Sequence, residues 1–187
     1  MTDIDDDADL RRELRRLRDH EEIRQLMYRY ARGVDRSVEP LLASVYAEDG
    51  TDHHGPFDGP GSEFAANLAK SGMTLPDNVG NHHITNILIE VDGDTARAET
   101  YFLALHPHTH DGPVRMALMS GRYLDTLIRE NGRWGIQRRR VVSDFSLNDV
   151  AGEPWTYVVP RPDGFLGGRR ADADPSAELF APRGEET

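Results

Sequence analysis

The fold is decided by residues 121–144, which read GRYLDTLIRENGRWGIQRRRVVSD. On both sides of the tripeptide Glu130-Asn131-Gly132, apolar and polar residues alternate with the period of two that is typical of a half-buried strand. Asn-Gly is a preferred pair for a tight hairpin turn, because both residues tolerate a positive φ. The stretch therefore predicts two antiparallel strands, over residues 116–129 and 133–147.

Two more strands precede this hairpin. Residues 82–91 are rich in β-branched and apolar side chains, and residues 96–105 form a second such run after the turn signal Asp92-Gly93-Asp94. Short connections join the last three strands, so we expect them to pair as an antiparallel meander.

The first third of the chain has helical periodicity instead. Apolar residues recur at i, i+3, i+4, i+7, i+8 and i+11 from Ile23 to Val34, and Asp19 with Glu22 has the form of a capping box. We predict a helix from there to about residue 35, a second over 39–48 and a third over 62–71, with residues 51–61 forming a loop that could contain a short strand. Helices followed by a curled antiparallel sheet indicate an α+β domain, with helices covering one face of the sheet.

The composition changes at both ends of this domain, which we place at residues 19–150. Residues 1–18 form a charged N-terminal extension that is either a partner-contacting surface helix or a solvated terminus. Residues 151–187 form a Pro- and Gly-rich C-terminal tail with no core of its own. Four aromatic residues suggest that part of the tail docks on the domain or on a neighbouring subunit: Trp155, Tyr157, Phe165 and Phe180.

The charge balance argues against several classes of partner. The 187 residues carry 22 Lys and Arg against 33 Asp and Glu, a net charge of -11, which disfavours nucleic acid and anionic membrane surfaces. No stretch approaches the ~20 apolar residues of a membrane span, and the N-terminus lacks the apolar core of a signal peptide. The chain has no cysteine, which excludes disulfides, thiolate metal sites and a cysteine nucleophile. We expect a cytoplasmic protein.

Two titratable residues occupy positions where burial is costly. Asp35 follows directly on the apolar helix face that carries Tyr30, and His82 begins the first long strand, on the same side as Asn86 by the period of two. A carboxylate orients an imidazole ring, and the second ring nitrogen can then accept a proton. Tyr30 would donate a hydrogen bond to a substrate oxygen, with Asn86 helping to hold it. Alternatively, Asp35 only caps a turn and His82 is a structural histidine.

Four segments together resemble the SnoaL-like superfamily, over about residues 21–144. They read IRQLMYRYARGVD (23–35), LLASVYAEDGTDHHGPFDG (41–59), NHHITNILIEVDGDTARAETYF (81–102) and GRYLDTLIRENGRWGIQRRRVVSD (121–144). This superfamily has the nuclear transport factor 2-like fold and includes relatives of scytalone dehydratase, a dehydrochlorinase and bile-acid dehydratases. The resemblance implies a cone-shaped, curved antiparallel or mixed sheet that encloses an apolar pocket together with N-terminal helices.

The resemblance also implies roles for particular residues. In the eliminating members a helix-end Asp and a strand His form a catalytic dyad, and Asp35 and His82 match them. The His of these members is followed four residues later by an Asn, which here selects His82 over the neighbouring His83. Tyr30 matches a tyrosine that the bile-acid enzymes use. The second acidic group of those enzymes falls at Ala104 here and their late arginine at Ser143, so a bile-acid substrate is not implied.

Five further polar residues are candidates for substrate contact: His53, His54, Tyr123, Arg139 and Asp144. The two histidines lie in the predicted loop after the second helix, where they would rim a pocket. An inward Arg139 would bind a carboxylate or enolate oxygen, whereas an outward one would form the commoner surface salt bridges.

A histidine-rich segment offers a metal-site alternative. His106, His108 and His110 would share one face of an extended strand and could hold zinc or iron. The Pro and Gly residues around them indicate a solvated loop instead, so we expect no metal and no other cofactor.

These observations favour a cofactor-free lyase or isomerase that acts on a hydrophobic small molecule such as a polyketide, terpenoid, steroid or aromatic compound. The alternative is a non-catalytic small-molecule binding or assembly module of the same fold. The aromatic tail suggests a homo-oligomer, either a trimer or a dimer.

Overall fold

The structure of the protein, a computed structural model, describes residues 6–70, 80–108, 113, 115–150 and 171–173. In chain order the elements are α1 (Asp6–Asp35), α2 (Glu39–Ala43), β1 (Tyr46–His54), β2 (Phe57–Pro60), α3 (Gly61–Lys70), β3 (Asn81–Asp92), β4 (Thr95–His108), β5 (Arg115–Glu130), β6 (Arg133–Val150) and a short 3-10 helix, Ala171–Ala173. The tail residues Trp155, Tyr157, Phe165 and Phe180 lie outside the described residues.

One curved, unclosed sheet contains all six strands, in the order β2-β1-β6-β5-β4-β3. Neighbours pair antiparallel, except that β1 runs parallel to β6, so the sheet is mixed. The predicted hairpin turn is confirmed, since Asn131 and Gly132 have φ of 51° and 76°. The expected α+β fold is therefore confirmed, with the four predicted strands each within three residues of the expected ends.

The helices pack against the concave side of the sheet. The periodic residues of α1 are fully buried: Ile23, Leu26, Met27 and Tyr30. They join one core cluster with Phe102, Tyr123 and Ile136 of the sheet. Burial of each large apolar side chain contributes about 1.5–3 kcal/mol, which is why the apolar stripe of α1 faces this way.

The predicted start of α1 is wrong. The helix begins at Asp6 and runs through residue 19 without a break, so Asp19 caps nothing. Its buried carboxylate instead accepts a hydrogen bond from Trp134 Nε1 at 3.4 Å and pairs with Arg129 at 2.8 Å. A mid-helix aspartate is tolerated here because tertiary partners satisfy both of its oxygens.

The predictions for residues 44–61 are also wrong in part. α2 ends at Ala43 instead of Glu48, and residues 51–61, expected as a loop that could contain a short strand, include the end of β1 and all of β2. β1 lies between β2 and β6, and a hydrogen bond from Ile136 N–H to the Val45 carbonyl (2.9 Å) begins its pairing with β6. Pairing on both edges thus outweighs the low strand propensity of this Asp-, His- and Gly-rich segment.

An irregularity in β3 changes which of its residues face the core. The register with β4 shifts between Ile84 and Ile87, so two successive residues, Thr85 and Asn86, are exposed. Inward positions are therefore His82, Ile84, Ile87 and Ile89. The prediction that Asn86 shares a face with His82 is wrong, because a bulge breaks the alternation of a strand.

Among the described residues, no helix combines the length and the apolar character that crossing a membrane requires.

Candidate active site

The end of α1 and the start of β3 bring Asp35 and His82 into contact. Asp35 Oδ1 lies 2.6 Å from His82 Nδ1, and Asp35 Oδ2 accepts a hydrogen bond from the His82 backbone N–H at 2.9 Å. The side chains are only 10% and 5% exposed. Because Asp35 occupies Nδ1, the ring is held in one orientation and Nε2 is left available as a proton acceptor.

His106 extends this pair into the interior. Its ring lies 5.1 Å from the ring of His82, edge to face. Burial, and next the charge of His82, lower the pKa of His106 to about 4, so this ring is neutral at pH 7. Gly80 explains the close packing, since a Cβ there would lie 3.2 Å from His106 Nδ1 and 3.6 Å from Asp35 Oδ1.

A buried arginine lies in the core between α1 and the sheet. Arg139 is fully buried, and its Nε and Nη2 donate to the two carboxylate oxygens of Asp125 at 2.8 and 2.7 Å. Its guanidinium carbon lies 4.1 Å from the ring centroids of both Tyr30 and Tyr123. The surface salt bridge expected as the commoner case is therefore wrong for Arg139, because it faces inward directly opposite Asp125 in the β5–β6 register.

Several polar atoms in this interior have no hydrogen-bond partner among the described residues. They include the hydroxyls of Tyr30, Tyr123 and Thr100, Arg139 Nη1, Asp52 Oδ1 and His54 Nδ1. An unpaired buried donor or acceptor costs about 1–3 kcal/mol, so a group left bare in this way is suited to meet a ligand or water. Burial raises the pKa of both tyrosines, which stay protonated and can donate. Polar groups without a partner thus lie among the apolar side chains of the core.

The two neighbouring histidines of β1 point to opposite faces. His54 packs on Phe64 with ring centroids 4.9 Å apart, and it reaches the interior. His53 is nearly half exposed and lies 3.5 Å from Asp58 of β2. The expectation that both rim one pocket is wrong, because side chains alternate along the strand.

Two other predicted contacts lie away from the interior. Asn86 is exposed at the bulge of β3. Asp144 is exposed on β6, where its oxygens accept from Arg122 at 3.1 and 3.2 Å. Neither side chain belongs to the cluster around His82.

The metal-site alternative gains no support from the described part of the chain. His106 lies in β4 and not in the expected loop, because β4 pairs with β5 as far as His108. His110 lies outside the described residues. Among the residues that are described, no three His, Asp or Glu side chains are grouped to hold a metal ion.

Comparison with known families agrees with this architecture. The family profile of the SnoaL-like domain matches residues 15–140, about two thirds of the chain. The chain belongs to the SnoaL-like family. No curated protein sequence matches it significantly.

Solved structures similar to this SnoaL-like chain share its fold. A scytalone dehydratase-like protein from Novosphingobium aromaticivorans has a TM-score of 0.62 at 24% identity, covering 74% of this chain and 91% of its own. A type 2 hexachlorocyclohexane dehydrochlorinase (LinA) has a TM-score of 0.66 at 24% identity, covering 82% of this chain and 99% of its own. A protein of unknown function from Mycobacterium tuberculosis has a TM-score of 0.55 at 26% identity, covering 70% of this chain and 74% of its own.

Three interior residues of this SnoaL-like domain were not among the predicted catalytic or substrate-binding residues, although His106 was considered as a metal ligand. Asp52 and Asp125 are buried carboxylates, and His106 lies beside the dyad. For Asp125 a signal existed, since it lies two residues after Tyr123 on the same face, directly across the hairpin from Arg139. For His106 the flanking prolines hid the strand.

Proposed function

We propose that this protein is a cofactor-free lyase or isomerase in which the Asp35–His82 pair removes a proton from carbon. The 2.6 Å contact between Asp35 Oδ1 and His82 Nδ1, at two nearly buried side chains, carries the proposal. Family membership is consistent with it, and structures of the same fold include a scytalone dehydratase-like protein and a hexachlorocyclohexane dehydrochlorinase. The substrate class is a hydrophobic small molecule, such as a polyketide, terpenoid, steroid or aromatic compound, that bears a carbonyl or hydroxyl group.

The proton transfer follows from the orientation of the ring. The Nδ1–H of His82 donates a hydrogen bond to Asp35 Oδ1, so the lone pair of Nε2 is the base. When Nε2 takes the substrate proton, the carboxylate at 2.6 Å balances the charge of the imidazolium. A positioned general base of this kind contributes about 10²–10⁴-fold to the rate. Loss of water then completes a dehydration, whereas return of the proton to a different carbon completes a double-bond shift.

Buried hydrogen-bond donors beside Arg139 would hold the substrate oxygen. The Tyr30 and Tyr123 hydroxyls are buried, protonated and without a partner in the described structure. The Arg139 guanidinium packs against both rings, with its central carbon 4.1 Å from each centroid. Fixed donors aimed at developing negative charge stabilise an enolate more strongly in a buried site than in water.

A non-catalytic small-molecule binding or assembly module is the second candidate. The observation that favours it is the dense filling of the interior by Arg139, Tyr30, Tyr123 and Phe102, all of them buried. Such a module would bind a ligand in the same place without changing it.

The test compares the wild type with His82→Gln on a panel of aromatic and terpenoid β-hydroxy ketones, with product formation followed by mass spectrometry. We expect His82→Gln to lower kcat at least about 100-fold, because the general base is lost. His83→Gln is the matched control, since the neighbouring ring is exposed on the opposite face of β3. Thermal melting checks that both variants fold.

Turnover by His82→Gln at the wild-type rate would contradict the enzymatic proposal. Binding of panel compounds without turnover, with an affinity that Asp35→Asn leaves unchanged, would favour the binding module instead.

A further inference from the structure

A second carboxylate–imidazole pair lies on β1, apart from the Asp35–His82 dyad. Asp52 is fully buried, and its Oδ2 accepts a hydrogen bond from the Tyr46 hydroxyl at 2.5 Å. Its other oxygen lies 3.6 Å from His54 Nδ1. Both of these facing atoms are buried and lack a hydrogen-bond partner among the described residues. The proposed function as stated uses neither residue.

The ring of His54 is held from the side by α3. It stacks on Phe64 with centroids 4.9 Å apart and planes 16° apart, and Phe64 in turn packs near Tyr30 at 6.5 Å. The His54 side chain remains 28% exposed while Asp52 is fully buried. The Nδ1 edge of the His54 ring therefore faces the carboxylate, while part of the ring remains accessible to solvent.

Both carboxylate–imidazole pairs border one cluster of aromatic rings. On the far side from His54, the His82 ring lies 6.3 Å from Phe102, which stacks on Tyr123 at 4.4 Å. Tyr123 lies 5.2 Å from Tyr30, the ring that neighbours Phe64 and hence His54. Two histidines with separate carboxylate partners suit a reaction in which one proton is taken and another is given.

We propose that His54 is the general acid of the reaction and that Asp52 is its positioning residue. This proposal rests on the proposed function. His82 takes the proton from carbon, the C–H electron pair forms the new C=C bond, and the C–O bond breaks with its electron pair on oxygen. His54 gives its proton to that oxygen, which leaves as water. His82 then releases one proton to solvent and His54 regains one, so the cycle balances.

The chemistry of the leaving group supports the assignment. Hydroxide leaves carbon poorly without protonation, so a dehydration needs an acid as well as a base. The buried carboxylate of Asp52 supplies a counter-charge for the His54 imidazolium before transfer. The hydrogen bond from Tyr46 fixes this carboxylate, because its other oxygen is held at 2.5 Å.

The experiment uses two probes that share the C–H bond to be broken and differ in the leaving group, and therefore in their need for an acid. One is the β-hydroxy ketone formed from benzaldehyde and acetone, and the other is its para-nitrophenyl ether, whose nitrophenolate leaves without protonation. We expect His54→Gln to lower kcat on the hydroxy ketone about 100-fold or more and to change kcat on the ether less than about threefold. Asp52→Asn should show the same split. His82→Gln should lose both reactions, because the base is common to them.

His53→Gln is the matched control, since this adjacent histidine lies on the opposite face of β1 beside Asp58. His54→Phe serves as a second variant, because it keeps the stack on Phe64 and removes the proton donor. An equal loss on both probes in His54→Phe, or no loss on the hydroxy ketone, would overturn the role of His54 alone. A wild type that eliminates neither leaving group, or that His82→Gln matches on both, would overturn the proposed function together with this proposal.

Discussion

At the scale of single residues, Asp35 shows how one carboxylate serves two purposes. One oxygen holds the His82 ring at 2.6 Å and the other accepts from the backbone N–H of the same residue at 2.9 Å. The second bond fixes the start of β3 against the end of α1, so the ring cannot move without its strand. A charge-assisted bond of this kind is stronger than one between neutral groups.

The buried Arg139–Asp125 pair makes a prediction about stability. Removing Asp125 leaves a guanidinium that is fully buried without its counter-charge, so Asp125→Ala should lower the free energy of unfolding by about 3–5 kcal/mol. Urea unfolding followed by circular dichroism measures this. Asp144→Ala is the control, since its pair with Arg122 is exposed and should be worth less than about 1 kcal/mol. Equal losses in the two variants would contradict the prediction.

His106 predicts a pH dependence of stability. Its pKa is about 4 in the folded protein against an ordinary 6.5, so between these values the unfolded chain binds a proton that the folded one does not. The free energy of unfolding should therefore fall as the pH drops from 6.5 to 4, by about 3 kcal/mol at most from this group. The groups that influence the pKa of His106, which are His82, Asp35 and His54, are the same in both proteins that are compared.

The measurement compares urea unfolding at pH 7 and pH 4.5 for the wild type and His106→Gln. Gln cannot titrate, so the variant should lose less stability on acidification. Identical losses of stability in both proteins would show that burial of His106 does not determine how the free energy of unfolding depends on pH.

At the scale of elements, α1 is one helix with two different halves. Its C-terminal half is buried along one face, whereas its first turns are exposed and carry ion pairs such as Arg11–Asp7 and Arg16–Glu13. Exposed i,i+3 and i,i+4 pairs contribute only about 0.2–0.5 kcal/mol each. The first half therefore adds little to global stability.

Two leucines of this helix test the difference. Leu26 is 1% exposed and Leu14 is 56% exposed. We expect Leu26→Ala to cost about 2–5 kcal/mol through the cavity it leaves, and Leu14→Ala to cost less than about 0.5 kcal/mol. Denaturant unfolding of both variants gives the comparison. A large loss in Leu14→Ala would mean that the first half packs against something, such as a second copy of the chain.

Local sequence predicted the antiparallel hairpins better than the strands around β1. Residues 121–144 contain both the alternation of apolar and polar residues and the turn residues, so the two local signals predict the same hairpin. β1 is a strand because β6 and β2 flank it. β6 lies about 80 residues away in sequence, and β2 has only four residues, too few to show an alternation of apolar and polar side chains. The bulge in β3 is likewise set by pairing with β4, and it removes Asn86 from the site.

At the scale of the whole molecule, the outer face of the sheet is partly apolar. Tyr101 and Leu103 of β4 and Phe145 and Leu147 of β6 are exposed there. Apolar patches of this kind are typical of contact surfaces. A homo-oligomer, whether trimer or dimer, would cover such a surface, and the aromatic tail is the segment that we propose holds it together.

Deletion of residues 153–187 tests the assembly. We expect the full chain to have the mass of a dimer or trimer by light scattering, and the shortened chain to have the mass of a monomer, because the tail aromatics are removed. Thermal melting of the shortened chain controls for folding. A monomeric full chain, or an unchanged oligomer after deletion, would contradict the role of the tail.

The sequence by itself determined the class of fold and the proposed dyad. Helical periodicity in residues 23–34 and strand alternation in residues 82–147 are local signals, and the family resemblance singled out Asp35 and His82 from among several acids and histidines. Only the tertiary structure decided which polar groups accompany them in the interior. Arg139 faces inward because Asp125 lies opposite it on β5, and Asp52 lies on its other side in the register of β1 with β6. His106 lies beside His82 because β3 and β4 are neighbours. Burial of charge depends on its partners in space, which no local pattern records.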